Sequence, residues 1–398
     1  MVPDLSAGTP QRWFSVGHSA LAEPAAAGAQ AAQAALAGRS ASLLLVFASI
    51  SYDLAALLAA VSEAAGEHTA IVGCSSMGEF AARGATDDSV VIAALGGPGF
   101  EVRTQLSRDA STRRRESGME AAAALASIDR PHRALMLLCD GLTFEHHDIV
   151  RGAYAVAGAT VPLVGGAAAD NLTFTGTYQF YGDGSGVEIL SDVVVGVALG
   201  SDAPIGVGAA HGWRRSGEAM VVTSSAEGQI YQLDDDPALD VYMRLIGEDR
   251  SIAEHPDKFH NSAYYHPLGL ARRDGEDIRV VHAANPVDGS LICLANVPQG
   301  ALVWPMESDP DSLISAAGES CTQAVEMLGG AEPIGIVTFD CGARKVMLGY
   351  DNVRREVAEI ARVAGDAPFC GLYTFGEIAR TQGSRGMHHL TVATLALS

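Results

Sequence analysis

The sequence predicts an α/β protein in which helices flank mixed parallel and antiparallel sheets, and the chain falls into two related halves. The first observation is a repeated phrase of glycine, two residues, a hydroxyl, a bulky apolar residue, Gly-Glu, an apolar residue and alanine. It occurs at Gly73–Ala81 and again at Gly371–Ala379. The second is that three segments share one β-α-β plan and are separated by turn signals. At 398 residues the chain is longer than one hydrophobic core usually accommodates, so we expect two domains, at 1–215 and 216–398.

Each β-α-β segment joins two buried apolar runs through an amphipathic helix. Such a crossover places its two strands parallel in one sheet, covered by the helix. The runs that we assign to strands are 43–47 with 70–73, 134–139 with 161–164, and 334–339 with the region of Phe369. The alanine-rich stretch Ala22–Ala37 precedes them. We interpret it as an N-terminal helix and not as a signal peptide, because no basic segment and apolar core precede a cleavage site.

Antiparallel strands are predicted between the crossovers, where pairs of apolar runs flank glycine- or proline-rich turns. The predicted hairpins pair 89–95 with 101–106, 178–181 with 187–190, and 193–199 with 205–210. Residues 277–306 contain further short apolar runs separated by turn residues. The pattern of predicted elements changes near Gly212–Gly217, which suggests the boundary between the domains. The sheets are therefore expected to be mixed.

Composition excludes several classes of protein. The net charge of −21 argues against nucleic acid as a partner, since phosphates require clustered Lys and Arg. No apolar run approaches the roughly 20 residues that span a bilayer, so no membrane association is expected. The six cysteines are scattered without a C-x-x-C pair, which is typical of reduced thiols. We therefore expect a soluble, cytoplasmic protein.

The sequence lacks most catalytic and cofactor motifs, because the residues present do not have the spacing that these motifs require. No P-loop occurs, and Gly182–Gly186 precedes a strand, which indicates a hairpin turn and not a dinucleotide loop. The histidines match no metal-site pattern, and we assign the adjacent pairs His146–His147 and His388–His389 to solvent or packing. Cys74 and Cys341 lie at predicted strand ends. No histidine is close in sequence to activate either one, so buried inert thiols are the favoured interpretation.

The two Gly-Glu phrases have two interpretations. In the first, the glycines serve tight turns and the glutamates cap neighbouring elements. In the second, both loops project from the carboxyl ends of parallel strands, where ligands bind in open α/β sheets. The hydroxyls would then donate hydrogen bonds, the glutamates would bind an ammonium or guanidinium group, and the tyrosine would stack on the ligand. The residues concerned are Ser75, Ser76, Glu79, Tyr373, Thr374 and Glu377.

Arg344 and Arg380 add positive charge to this predicted cleft. If both loops line one cleft, its two signs of charge suit a zwitterion, whose carboxylate meets an arginine and whose ammonium meets a glutamate. We hypothesise that the related loops pack together around it, with Gly78 and Gly376 allowing the turns. The alternative requires no ligand, since the arginines could pair with the two glutamates and so close the loops.

Further segments accompany the two phrases in a fixed order. They are Trp13–Ser19, Phe47, Ser51–Asp53, Gly165–Gly166 with Asp170, His211–Trp213, Ile230–Leu233, Pro237–Ala238, His266–Gly269, and Phe339–Cys341 with Arg344. Together they make the chain resemble the FIST proteins over nearly its whole length, with an N-terminal and a C-terminal FIST domain. The resemblance implies an intracellular sensory module, found in bacteria, that binds small ligands such as amino acids. It adds Cys74, Asp170, Asp340 and Cys341 to the candidate ligand-binding residues.

The resemblance and the lack of a recognisable catalytic constellation together imply a non-catalytic sensor of a small-molecule ligand. Because the FIST-like region fills nearly all 398 residues, we expect output through a separate effector protein such as a kinase. Three alternatives stay open, and one of them is a plain interaction scaffold that binds no small molecule. Some relatives bind haem and sense nitric oxide, for which His211, His266 and His282 are available as axial ligands, and an enzyme could use Cys74 or Cys341. Otherwise no cofactor and no metal are expected.

Overall fold

The computed structural model describes residues 11–143, 145–226, 228–272, 275–380 and 386–398. It confirms the α/β class, with mixed sheets flanked by helices. One unit, with the order strand, helix, strand, helix, strand, hairpin, strand, occurs three times along the chain. A domain of antiparallel strands interrupts the third copy after its first strand. The two copies detected in the sequence are thus joined by a third.

The first two repeats follow one another without interruption. The elements of the first repeat are β1 (Trp13–Ser19), α1 (Pro24–Leu36), β2 (Leu43–Ser49), α2 (Leu54–Ala65), β3 (Ala70–Ser76), β4 (Glu79–Ala81), β5 (Gly84–Thr86) and β6 (Val90–Gly96). Those of the second repeat are β7 (Phe100–Arg108), α3 (Arg114–Ala122), β8 (His132–Cys139), α4 (His146–Ala157), β9 (Leu163–Ala167), β10 (Gln179–Asp183), β11 (Gly186–Leu190) and β12 (Val193–Ser201). Helix α1 confirms the predicted N-terminal helix.

The third repeat starts with β13 (Ile205–Ala210), after which the inserted domain begins. The elements of the inserted domain are β14 (Arg214–Arg215), β15 (Met220–Ala226), β16 (Gln229–Leu233), β17 (Asp236–Pro237), α5 (Ala238–Ile246), α6 (Pro256–Tyr264), β18 (Leu268–Arg272), β19 (Gly275–Arg279), β20 (Val281–Asn285), β21 (Ser290–Cys293) and β22 (Leu302–Glu307). The repeat then resumes with α7 (Pro310–Glu326), β23 (Gly335–Cys341), α8 (Gly342–Ala364), β24 (Phe369–Thr374), β25 (Glu377–Arg380), β26 (Met387–His388) and β27 (Val392–Leu397). Within the described ranges, no helix combines the length and the hydropathy needed to cross a bilayer.

The three repeats build three six-stranded sheets that share one strand order. The orders are β1-β6-β2-β3-β10-β11, β7-β12-β8-β9-β25-β26 and β13-β27-β23-β24-β4-β5. In each sheet the third and fourth strands run parallel, which confirms the three predicted crossovers. The remaining pairs are antiparallel, so the sheets are mixed as expected.

The hairpin of each repeat pairs with a strand of another repeat. Hairpin β4–β5 pairs with β24, β10–β11 with β3, and β25–β26 with β9. In the resulting register the aligned residues are Phe80 with Gly371, Phe180 with Gly73, and Ile378 with Gly165. The residues that open the three hairpins, Glu79, Gln179 and Glu377, therefore occupy equivalent positions. A Cβ on Gly371 would lie 2.1 Å from the Phe80 ring, which explains the glycine at this position.

Two of the three predicted hairpins are wrong. Strands β6 and β7 lie in different sheets, and so do β12 and β13. The turns at Gly96–Gly99 and Asp202–Pro204 carry the chain from one repeat to the next. Turn residues predict that the chain reverses its direction, but they do not specify that the flanking strands pair with each other. The third predicted hairpin, β10–β11, is confirmed.

The inner faces of the three sheets meet in one central core. Phe47 and Phe339 pack edge to face there, with ring centroids 6.0 Å apart. The helix pairs α1–α2, α3–α4 and α7–α8 cover the outer faces. The inserted domain has its own core around Tyr242 and Phe259, and a further apolar cluster that includes Trp213 joins it to the third repeat. The inserted domain is therefore packed against the three-sheet body and not merely tethered to it.

Candidate functional site

The carboxyl ends of β3, β9 and β24 meet in one place, which we call the strand-end ring (residues 75–79, 167–179 and 373–377). Backbone hydrogen bonds close it into a cycle. They run from Met77 N to Tyr373 O (3.0 Å), from Phe375 N to Ala167 O (3.1 Å) and from Ala169 N to Ser75 O (3.0 Å). The fold therefore brings the two repeated phrases together and places the third copy between them.

Glu79 is completely buried in the ring, and its hydrogen bonds are internal. Its carboxyl group accepts bonds from the hydroxyls of Ser76 and Ser89, the latter at 2.6 Å. Burial raises the pKa of Glu79 to about 8, although the two serine hydroxyls and Lys345 act in the opposite direction. The group is therefore mostly protonated at neutral pH and links the end of β3 to the start of β6.

Glu377 has the same position in the third repeat. Its carboxyl group accepts bonds from Thr374 Oγ1 at 3.0 Å and from Thr391 N at 3.3 Å. Burial, reinforced by a neighbouring aspartate, raises its pKa well above the ordinary value. Gln179 occupies the position in the second repeat as a neutral amide, and its Nε2 donates to Cys139 O at 3.1 Å. Each of the three side chains joins the ring to a neighbouring segment of the body, which favours the structural interpretation of the phrases.

Arg344 is fully buried and connects the third repeat to both ends of the inserted domain. Its guanidinium pairs with Asp340 at 2.8 Å and with Glu356 at 2.6 Å, and not with the ring glutamates. It also donates to the carbonyls of His211 and Leu313, which flank the inserted domain. Burial raises the pKa of Glu356, and the charge of Asp340 adds to the effect. Arg344 therefore lies between two buried acidic side chains, and it is the cation shared by both.

The other candidate residues are buried as well. Ser75 Oγ donates to a carbonyl of the ring at 2.8 Å, and Asp170 fixes the loop after β9 by accepting two backbone N–H groups at 3.0 and 2.9 Å. Arg380 donates to Val161 O at 3.1 Å, and its guanidinium lies 4.1 Å from the centre of the Tyr154 ring. The candidates buried around them are Cys74, Ser76, Gly78, Cys341, Tyr373, Thr374 and Gly376.

The thiols proposed as nucleophiles are unfavourably placed for that role. All six cysteines of the chain lie within the described ranges and are free and buried. Burial raises the pKa of Cys74, with a smaller contribution from the neighbouring Cys139. Burial also raises the pKa of Cys341, and the charge of Glu377 adds to it. Because the thiolate is the reactive form, these surroundings suit inert structural thiols.

A groove lies between the inserted domain and the three-sheet body, and we call it the interdomain groove. It consists of two adjoining clefts of about 310 and 720 Å³. The smaller cleft lies between the first turns of α4, the segment Gly386–Met387 and strands β18, β19 and β21. The larger lies between His211–Arg214, the hairpin β18–β19 and one face of α7. Arg272 and Asp277 line both clefts, and of the ligand-binding candidates from the two phrases and the resemblance, Arg380 lines the larger one.

The wall between the two clefts contains two arginines that share one carboxylate. Arg272 Nε lies 2.5 Å from Asp277 Oδ2, and an Arg279 terminal nitrogen lies 3.5 Å from the same oxygen. Arg279 also donates to the carbonyls of Asn296 at 3.1 Å and Ile278 at 3.0 Å. Burial favours a higher pKa for Asp277, but Arg279 and Arg272 outweigh it and hold that pKa below the ordinary value. Burial lowers the pKa of Arg279, a change that Asp277 partly offsets.

Histidines from three parts of the chain surround this wall. His147 lines the smaller cleft, His211 and His388 line the larger one, and His389 is buried beside them. Burial lowers the pKa of His147 to about 3, and the charges of Arg279 and His388 contribute. Burial likewise lowers the pKa of His211 and of His389. These surroundings favour the neutral form of the three imidazoles, in which one ring nitrogen donates a hydrogen bond and the other accepts one. Sequence reasoning assigned the two histidine pairs to solvent or packing and so missed the groove.

The histidines considered for haem lie in different surroundings. His211 belongs to the groove, whereas His266 and His282 belong to the inserted domain, where the ring of His282 lies 5.0 Å from that of His260. Burial lowers the pKa of His266 and of His282. In the part of the chain that the structure describes, no group of three or more His, Cys, Asp or Glu side chains is arranged to hold a metal ion.

Comparison with known families gives two adjacent matches. The FIST N domain matches residues 42–236, and the FIST C domain matches residues 238–380. The chain belongs to the FIST family. FIST domains are generally associated with signal transduction that is triggered by small ligands. The two matches meet inside the inserted domain, between β17 and α5, so both of them contribute to the interdomain groove. A search of curated proteins finds no match.

Proposed function

We propose that this FIST protein is a cytosolic sensor that binds a small metabolite, an amino acid or a similar compound, in the interdomain groove. The bound state is read by a separate effector protein, for example a kinase, and the protein acts by binding without catalysis. Family membership supports a sensory role. The groove supports the location, because small-molecule sites are concave and often lie where domains meet.

One observation carries this proposal: the smaller cleft offers both signs of charge to a ligand. Guanidinium groups bind carboxylates in a fork geometry, and carboxylates accept hydrogen bonds from an ammonium group. An amino acid carries both of these groups. The charged residues that line the cleft are Arg151, Arg272 and Arg279 on the positive side, and Glu145, Asp148 and Asp277 on the negative side.

The strand-end ring supports the site in this proposal. Arg344 fixes both ends of the inserted domain through Asp340 and Glu356, and the interdomain groove lies between that domain and the body. The assignment of ligand contacts to Glu79 and Glu377 stays a prediction. Their burial and internal hydrogen bonds favour a supporting role.

A ligand in the smaller cleft would contact both parts of the molecule at once. Arg272 and Arg279 belong to the inserted domain, whereas His147 and Asp148 belong to α4 of the second repeat. Binding would therefore stabilise one arrangement of the two parts, and an effector that contacts both surfaces would recognise that arrangement. Since a shared apolar cluster already joins them, we expect stabilisation and not a large movement.

A thermal-shift screen of the full chain against amino acids and related metabolites tests this proposal. A compound at about 100 times its dissociation constant stabilises the folded state by about 2.7 kcal/mol, which raises the unfolding midpoint measurably. The variant Asp148→Asn, which removes a carboxylate from the cleft, should lose most of that shift. The matched control is Asp311→Asn, an exposed aspartate paired with Arg355 on the surface, which should keep it.

The outcomes of this screen are decisive for the proposal. If no compound raises the unfolding midpoint of the full chain, the sensor proposal falls. If a compound does so equally in the wild type and in Asp148→Asn, binding takes place outside the smaller cleft and the assigned location is wrong.

A further inference from the structure

We infer that the smaller cleft takes an amino acid with an acidic side chain, such as glutamate or aspartate. This inference rests on the proposed function and narrows it to one class of ligand. It depends on the charge of the wall between the clefts, on the hydrogen-bond donors that its arginines still offer, and on the neutral imidazole beside them.

The wall carries an excess positive charge. Arg272 and Arg279 both pair with Asp277, and no other carboxylate of the described residues lies within salt-bridge distance of either guanidinium. The three side chains together therefore have one net positive charge. The side chain of Arg279 is only 3% exposed and that of Arg272 is 24% exposed, so water solvates this charge only in part. A partly buried charge that no further carboxylate of the described residues contacts is unfavourable, and a ligand with one net negative charge would supply a counter-ion.

The two arginines also offer enough donors for two carboxylates. Arg272 bonds Asp277 through Nε, which leaves both of its terminal NH₂ groups for the cleft. Arg279 uses one N–H on each of its three nitrogens, for Asn296, Ile278 and Asp277. Since a guanidinium has five N–H donors, two terminal N–H groups of Arg279 are left. A ligand with two carboxylates can therefore engage both residues, whereas a neutral amino acid has one.

The other side of the cleft suits the ammonium group. Glu145 and Asp148, at the start of α4, line the cleft there, and they share their charges with Arg114 at 3.6 Å and with Arg151 at 3.2 Å. His147 lies between them in sequence and is neutral, so it can donate a hydrogen bond to a carboxylate without adding positive charge. The arrangement thus matches two carboxylates and one ammonium, which together have one net negative charge.

The test compares acids with their amides, which have nearly the same shape. Isothermal titration of the full chain with L-glutamate and L-glutamine should show tighter binding of L-glutamate by at least about tenfold, because a charged hydrogen bond is lost in the amide. L-Aspartate and L-asparagine form a second pair with the same expected order. Equal or tighter binding of both amides would overturn the inference.

A variant tests whether the wall is the source of this preference. In Arg272→Gln the affinity for L-glutamate should fall by about tenfold, while that for L-glutamine changes little, so the preference disappears. Arg362→Gln is the matched control, since Arg362 pairs with Glu359 on the exposed side of α8, and it should keep the preference. The unfolding midpoint without ligand shows whether each variant is folded.

The result separates this inference from the proposed function. If neither acids nor amides bind while another compound of the screen does, the acidic ligand class is wrong and the sensor proposal stands. If Arg272→Gln folds and still prefers L-glutamate by the same factor, the wall does not select the ligand and the inference is overturned. If no compound binds the full chain at all, the proposed function fails as well.

Discussion

The strand-end ring and the interdomain groove both contain several ionisable side chains, but the two regions differ in the hydrogen-bond partners and the exposure of those side chains. In the ring, Glu79 and Glu377 are buried and bonded to hydroxyl and backbone groups of the same chain. In the groove, Arg272 and Arg279 share a single carboxylate and face a cleft. The ring is built from residues that recur in the repeats, and the groove from residues that occur once. In this molecule repetition marks structure, and the place where an inserted domain breaks the repetition is the proposed site.

The ring also shows how a buried glutamate is tolerated. Burial raises the pKa of Glu79 to about 8, so the side chain is mainly an uncharged carboxylic acid at neutral pH. Gln179 holds the same position in the second repeat with a side chain that is always uncharged. The position therefore requires a polar side chain of this length and does not require a charge.

The largest expected effect is that of removing the buried cation beside the ring. In Arg344→Met the buried Asp340 loses its counter-ion, which should lower the free energy of unfolding by about 3–5 kcal/mol. Urea denaturation of the full chain measures this change. The exposed Arg355, which pairs with Asp311 on the surface, is the control, and Arg355→Met should change the free energy of unfolding by less than about 0.5 kcal/mol. A small effect of Arg344→Met would mean that the anchor of the inserted domain lies elsewhere.

Truncating a ring glutamate should destabilise the fold and leave the groove intact. Glu79→Ala leaves the buried hydroxyls of Ser76 and Ser89 without their common partner, which should lower the free energy of unfolding by about 2 kcal/mol. At temperatures below the unfolding midpoint of the variant, any metabolite found in the thermal-shift screen should bind it with the same affinity as the wild type. Loss of binding without loss of stability would contradict the division between ring and groove and would return Glu79 to the ligand.

The smallest expected effect, counted for each pH unit, is a change in the pH dependence of stability. The pKa of Glu79 is about 8 in the folded chain, above the ordinary value of 4.5, so between these values the folded state binds the proton that the unfolded state has lost. Its contribution to stability is fully present below pH 4.5 and is lost as the pH rises towards 8. Glu79→Gln removes this loss, so the variant should gain up to about 1.4 kcal/mol relative to wild type for each pH unit inside that window.

Unfolding curves recorded at several pH values between 5 and 8 test this difference. The comparison of variant with wild type cancels the contributions of Glu377 and Glu356, which both proteins contain. The converse variant is Gln179→Glu, which places a carboxyl group at the third equivalent position and should acquire the same downward slope with rising pH. Parallel pH profiles for wild type and Glu79→Gln would show that the pKa of Glu79 is not raised.

Much of the fold could be predicted from local patterns. The three crossovers, helix α1 and hairpin β10–β11 follow from apolar periodicity and turn residues, and the structure confirms them. The third copy of the repeated phrase was missed because Gln179 replaces the glutamate and residues 168–178 lengthen its loop. The exchange of hairpins between repeats could not be predicted, because the residues of a turn do not determine which other strand pairs with the hairpin.

The site was harder to predict than the fold. The sequence drew attention to Glu79 and Glu377 because the motif repeats, and the structure places both away from the groove, inside the ring. His147, Arg279 and His388 are far apart in the sequence, and none of them belongs to a recognisable motif. Only the fold brings them to one cleft or its border. The sequence does contain one relevant pattern, namely a pair of adjacent histidines on each side of the inserted domain. This pattern indicates a common site only when the tertiary structure is known.

The cyclic exchange of hairpins has a consequence for synthesis of the chain. The sheet of the first repeat needs β10 and β11 from the second, and hairpin β4–β5 has no partner until β24 has been made. A nascent chain that ends before residue 374 therefore carries unpaired strand edges, which can associate with other chains. No single repeat is a self-sufficient folding unit, so stable packing of hairpin β4–β5 waits until β24 has left the ribosome. The structure thus links strands of the third repeat to the stability of the first.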